Sequence, residues 1–138
     1  FRLGVTVPAT SLCPCSKAIS RYGAHNQRSL LRAVVEFKPP APCIFIEDLA
    51  ALMEEQASCP IYPLLKREDE KYVTEKAYEQ PKFVEDILRD LVLALRPLPG
   101  LFWFSLSCEN FESIHNHSAY ASHEEYVNWK ARTDGKEQ

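Results

Sequence analysis

Two cysteines one residue apart, Cys13 and Cys15, lie in the run Ser11-Leu12-Cys13-Pro14-Cys15-Ser16-Lys17. If Pro14 opens a helix, Cys13 sits at its cap and Cys15 in its first turn. Backbone N–H groups and the helix dipole there stabilise a thiolate, and Lys17 adds a positive charge nearby. A thiolate is what both a metal ion and a nucleophilic attack require; two buried structural cysteines would show the same spacing. His25 follows in Tyr22-Gly23-Ala24-His25-Asn26-Gln27-Arg28-Ser29. Gly23 suits the end of the helix, so the returning chain can bring His25 toward Cys13, although a histidine in a turn is otherwise simply solvated.

The run Glu112-Ser113-Ile114-His115-Asn116-His117-Ser118 places two imidazoles two residues apart. In an extended segment they project from one face, so that one can bind a metal while the other transfers protons, or both can bind. An exposed polar edge would read the same way. His123 has no partner pattern and reads as surface. Asp69, Glu70 and Glu75 fall in a charged stretch whose plainest reading is a solvated loop. Glu85, at 100° per residue, falls on the margin of an apolar stripe near Leu88 and Val92, and a half-buried carboxylate there needs a partner. A ligand with adjacent N–H donors would suit it. Cys43, Cys59 and Cys108 read as small apolar fillers, and Phe102, Trp103 and Phe104 as core packing.

These residues need a scaffold, and 138 residues suffice for one domain with a core. Hydrophobic residues at 46% and charged residues at 25% are ordinary for a globular chain. A net charge of −3 gives no bulk attraction to nucleic acid or a membrane, so an anionic partner must be met by local Lys and Arg. No apolar run approaches the ~18 residues that span a bilayer, and no signal-peptide pattern opens the chain. Five cysteines, two of them nearly adjacent, make a poor disulfide framework and suit a reducing, cytoplasmic setting. Phe1 opens directly on an alternating apolar run, so a further N-terminal portion is expected.

Periodicity predicts the elements. Leu3, Val5 and Val7 alternate and Pro8 closes a strand; Ser11 to Tyr22 reads as a short helix. Leu31, Ala33, Val35 and Phe37 share one face of a second strand, ended by Pro39-Pro40. Ile46 to Ala57 has helical spacing, Ser58 to Gln80 reads as a turn-rich connection, and Pro81 begins the clearest helix, with Val84, Ile87, Leu88, Leu91 and Leu95 on one stripe. Leu101 to Cys108 and Ile114 to Ala121 read as strands, and Lys130 to Gln138 as a polar tail. The main order, ββααββ, predicts an α+β domain over residues 1–129: a four-stranded antiparallel sheet with two helices on one face. Its two open edges call for cover by other copies or another module.

Taken together, the runs around Cys13, His25 and His115, with Asp69-Glu70-Lys71-Tyr72-Val73-Thr74-Glu75, resemble type IB GTP cyclohydrolase I, in order and over nearly the whole chain. The resemblance implies the tunnelling fold and the conversion of GTP to 7,8-dihydroneopterin triphosphate with release of formate. That step leads to tetrahydrofolate and, in bacteria, to modified tRNA bases. It implies Cys13, His25, Glu70 and His115 as metal ligands, with Asp69 the competing carboxylate, and Glu85 as anchor of the guanine edge. Cys15, Glu112 and His117 become the proton-transfer candidates. The family carries two tandem modules and this chain resembles the second, so part of the pocket is expected from elsewhere. Glu68 stands where the family pattern leads one to expect proline.

The implied reaction begins with hydroxide, formed from water at the metal, attacking C8 of guanine. A mixed Cys/His/carboxylate set accepts Zn²⁺, Mn²⁺ or Fe²⁺. Lys17, Arg21, Arg28, Lys66, Arg67 and Lys71 are triphosphate candidates, Arg28 foremost for its bidentate geometry. A homo-oligomer, with a tetramer as the expected size, would complete the site. Two other readings compete: an NADPH-dependent nitrile reductase of the same fold, needing a reactive Cys and no metal, and a closed structural zinc site.

Overall fold

Apolar residues alternate along β1 (Arg2–Leu12) and β2 (Asn26–Phe37), which pair antiparallel with Leu12 opposite Asn26 and Val7 opposite Leu31. Alternation makes one face of the pair the buried one, carrying Val7, Ala9 and Ser11 on β1 and Gln27, Ser29, Leu31, Ala33, Val35 and Phe37 on β2. The computed structural model describes residues 1–127, so the tail expected from Lys130 and the last residues of the expected domain lie outside it. β1 continues through Pro8 rather than stopping there. The Thr10 carbonyl accepts from Ser58 N–H on the outer side of β1, so Pro8, two residues away, turns its missing donor to that same side. Only Ala9 and Thr10 of β1 pair there, with the two-residue β3 (Cys59–Pro60), and Pro8 therefore forfeits no ladder bond.

Beyond β2 the sheet adds β4 (Leu101–Phe111) and β5 (Ser118–Tyr126), giving the order β3-β1-β2-β4-β5 with every neighbour antiparallel. Four helices join these strands: α1 (Pro14–Ile19), α2 (Ile46–Glu54), α3 (Arg67–Glu79) and α4 (Val84–Leu95). α2 and α4 bury Leu49, Met53, Ile87, Leu91 and Leu95 in one cluster with Leu31, Val35, Phe104 and Leu106 of the sheet. The molecule is thus an α+β domain on an open antiparallel sheet.

The expected four strands are five among the described residues, and the helices number four, in the order βαβαβααββ. The expected connection from Ser58 to Gln80 contains α3, a helix without an apolar stripe that buries only Ala77. Val73 and Ala77, two apolar residues one turn apart, pack it against Leu12 and Cys59. At its start the Asp69 carboxylate accepts from Lys66 N–H, and Arg67–Glu70 and Lys71–Glu75 pair along its surface. Hydrophobic periodicity cannot report such a helix. The last strand begins at Ser118, so residues 112–117 form the β4–β5 connection and the two imidazoles stand on a loop, not on a strand.

Candidate active site

Cys13 follows directly on β1 and His25 directly precedes β2. The Cys13 N–H donates to the His25 carbonyl at 3.0 Å, which carries the β1–β2 ladder one residue past Leu12 and Asn26. Cys13 and His25 are therefore cross-strand neighbours, on the same face as Ser11 and Gln27, and directly opposite residues in such a ladder have Cβ atoms roughly 5 Å apart. Register, not proximity in sequence, makes this thiol–imidazole pair.

α1 starts where the sequence placed its cap. Cys13 is extended, Pro14 is the first helical residue, and Cys13 Sγ accepts from Ser16 N–H at 3.5 Å. Ser16 also ties the two halves of the pair together: its hydroxyl donates to the Cys13 carbonyl at 3.1 Å and accepts from His25 N–H at 3.2 Å. Cys15 is exposed in the first turn, and the helix ends at Ile19, shorter than the expected span to Tyr22.

The ring of His25 is held at Nδ1, 3.1 Å from Gln27 Oε1 and 3.1 Å from Ser113 Oγ. The second contact brings the 112–117 loop to His25. On that loop His115 and His117 are exposed and stack with centroids 5.2 Å apart and planes 4° from parallel. The expected side-by-side pair is present, built by a loop. Glu112, at the loop's start, is half-buried.

The remaining candidates lie further out. Glu70 is exposed on α3, its carboxylate 3.2 Å from Arg67. Asp69 is occupied as the acceptor that caps the same helix. Among the described residues no three His, Cys, Asp or Glu side chains are gathered closely enough to hold an ion. Two of the implied ligands, Cys13 and His25, are thus set opposite each other, the loop of His115 touches His25, and Glu70 stays on α3.

Lys17 is directed away from the pair: its ammonium donates to the Tyr78 carbonyl and lies 4.3 Å from the Tyr78 ring centroid. Arg28 is exposed, makes no ion pair among the described residues, and lines a cavity of about 290 Å³ with Thr10, Asn26, Tyr62 and Thr74. Arg21 and Lys66 are exposed, and Lys71 pairs with Glu75 at 3.8 Å.

Glu85 is exposed rather than half-buried: the first turn of α4 turns Val84 and Ile87 into the core and leaves Glu85 on its outer side. It lines a cleft of about 270 Å³ between α4 and β5 with Leu88, Val92, Arg96, Ser122 and His123. α4 is fixed at this end of the sheet by the Lys82 N–H, which donates to the Leu12 carbonyl at 3.0 Å. His123, read as partnerless surface, is half-buried with Nε2 2.9 Å from Glu125. Arg96 holds Glu125 in a bidentate pair and, with His123, keeps its carboxyl below the ordinary range against the opposing effect of burial.

Burial pushes the Cys108 thiol up to about 12, with the Glu85 charge adding to the effect, and burial also raises the Cys59 thiol. Both are inert fillers, as expected, whereas Cys43 is exposed. Phe104 is core; Trp103 is only half-buried and donates from Nε1 to Glu124. Sequence reasoning passed over Ser11, Ser16, Gln27 and Ser113. The one available signal was that Ser11 and Ser16 flank the cysteines and Gln27 lies two residues, one pleat, beyond His25.

A thiol at a helix cap faces an imidazole across a ladder, beside a loop bearing two more imidazoles. The chain is thus an α+β module that sets a cysteine opposite a histidine at one end of an antiparallel sheet. The family model described as type I GTP cyclohydrolase FolE2 matches residues 1–121, and the chain belongs to that family, the type IB enzymes that its motifs resemble. The chain is similar to the GTP cyclohydrolase FolE2 of Dichelobacter nodosus, at 62% identity over 85% of this chain and 44% of that protein. It is 58% identical to the FolE2 of Geobacter sulfurreducens over 91% of this chain and 47% of the relative. With that of Syntrophotalea carbinolica it shares 55% identity over 99% of its own length and 49% of the relative. The chain therefore spans about half the length of the curated relatives it matches.

Proposed function

We propose that the polypeptide carrying these residues is a type IB GTP cyclohydrolase I, hydrolysing GTP to 7,8-dihydroneopterin triphosphate and formate as the first step toward tetrahydrofolate. The reading rests on one observation above the others: within a chain of this family, Cys13 and His25 are cross-strand partners with the His115 loop against them. That donor set, a thiol and two imidazoles with a carboxylate in reach of sequence, suits one divalent Zn, Mn or Fe ion. Cys13, His25, His115 and Glu70 would hold it. Glu70 is favoured over Asp69 because the Asp69 carboxylate already caps α3. What such an ion supplies when bound is a hydroxide at near-neutral pH.

The chain's own residues do the rest. Glu85 accepts hydrogen bonds from the N–H edge of guanine over the apolar floor of Leu88 and Val92. Cys15, Glu112 and His117 exchange protons as the imidazole ring of the substrate opens and formate departs. Arg28, unpaired among the described residues, meets the triphosphate, and Lys17 joins it by releasing Tyr78. The fold is the tunnelling fold, the assembly a homo-oligomer, with a tetramer as its size, and the other module or a neighbouring chain completes the pocket. The setting is the cytoplasm, in keeping with free cysteines; among the described residues no helix is long and apolar enough to cross a membrane.

The test is incubation of the full polypeptide with GTP and Mn²⁺ or Zn²⁺, following formate and pterin fluorescence. Formate and, after chemical oxidation of the dihydropterin, a fluorescent pterin in equal amounts are expected. Intact GTP, or GTP consumed without formate, overturns the reading.

A further inference from the structure

Ser11 and Gln27 face each other across the β1–β2 ladder, one pleat inward from Cys13 and His25. Both are buried, Ser11 at 0% and Gln27 at 8% exposure, which is unusual for polar side chains with no charge to bury. Their hydrogen bonds run in one direction. Gln27 Nε2 donates to Ser11 Oγ at 3.0 Å, and the amide oxygen lies outward, 3.1 Å from His25 Nδ1. An amide oxygen only accepts, so the ring nitrogen facing it must carry the hydrogen. Ser113 Oγ, 3.1 Å from the same nitrogen, can either donate or accept and is compatible with that assignment without deciding it.

We propose that Gln27, held by Ser11, is a positioning residue that locks His25 as the Nδ1–H tautomer and leaves its Nε2 lone pair free toward the site. Free histidine favours the opposite tautomer, in which Nε2 carries the hydrogen and has no lone pair to offer. The sheet corrects this without any charge: β1–β2 register sets Ser11 opposite Gln27, Ser11 engages the amide nitrogen, and the amide oxygen selects the ring nitrogen. That His25 uses its freed nitrogen as a ligand rests on the function proposed above. The tautomer does not.

The two can be separated by ¹⁵N NMR of histidine-labelled full polypeptide without metal, at a pH where His25 is neutral. The Nδ1–H pattern is expected in the wild type and in Gln27→Glu, which keeps an acceptor. Gln27→Met, of similar length and without one, should shift His25 toward Nε2–H. Ser11→Ala frees the amide to turn and should shift it the same way, which covers the case that Gln27→Met does not fold. An unchanged His25 pattern in whichever of these two variants folds overturns the proposal. Metal titration is the second readout: a roughly 10- to 100-fold loss of affinity in Gln27→Met, restored in Gln27→Glu, is expected for the partner of a ligating histidine. A shifted tautomer with unchanged metal affinity supports the role of Gln27 and instead removes His25 from the ligands proposed above.

Discussion

At the scale of single residues the site is a matter of which side chains are already committed. Lys17 is engaged by Tyr78, Asp69 by a helix start and Glu70 by Arg67, while His115, His117 and Arg28 are exposed. Replacing His115 by Ala should abolish both bound metal and formate release; normal formate release by metal-replete H115A protein would remove that residue from the ligands. Glu85→Gln should retain the metal and weaken GTP binding by about 10- to 100-fold, since a charged acceptor lost from a ligand hydrogen bond is worth roughly 1.5–3 kcal/mol. Calorimetric titration with GTP checks it, and an unchanged affinity would count against the anchoring role. Much at this scale was legible in the sequence. The thiol at a helix cap was read from Pro14 alone, because capping is decided by the adjacent few residues. The exposure of Glu85 was not legible, because a position on the margin of a stripe can fall on either side of the buried edge.

At the scale of elements, the end of β1 is the fixed point from which the site is hung. The Leu12 N–H is taken by Ser58 Oγ at 3.1 Å and its carbonyl by Lys82 N–H at 3.0 Å, so the segments before β3 and α4 both close on the residue preceding Cys13. Ser58→Ala leaves a buried N–H without its partner and should cost about 1–3 kcal/mol. Urea unfolding measures the loss, and an unaltered midpoint would show that water or another group replaces the hydroxyl. β1, β2, β4 and α4 were readable from period alone, since one face of each is buried and the other is not. The two-residue β3 was too short to show a period, and the half-buried β5 was placed four residues early. α3 was not, because its pairs of opposite charge mimic a solvated loop when no apolar stripe accompanies them.

At the scale of the whole molecule, stability and site are carried by different parts. The core between the sheet and α2 and α4 is continuous, and Leu91 is fully buried in it. Leu91→Ala should cost about 2–5 kcal/mol, read by denaturant unfolding, whatever its effect on activity. A smaller device ties α4 to the edge strand β5: Arg96 and His123 hold Glu125 ionised below the ordinary carboxyl range. A depressed folded value stabilises the protein above the unfolded carboxyl range and ceases to do so as the pH falls through the folded value. Glu125→Gln should therefore lower Tm modestly at pH 7, and the difference from wild type should close on acidification below that folded value. A gap independent of pH would assign the effect to packing instead.

The amino-acid sequence by itself determined what depends on neighbours within a turn or a pleat: the cap at Cys13, the stripe of α4, the alternation of β1 and β2, and the contiguous motifs that mark the family. Only the tertiary structure decided that Cys13 stands opposite His25, that a loop 88 residues away meets the same imidazole, and that Ser11 and Gln27 set which nitrogen it presents. The reason is that strand register is chosen by the whole buried face at once. A slip of one residue would invert every side chain in it, so the pairing belongs to the core as a unit and no short stretch of chain contains it.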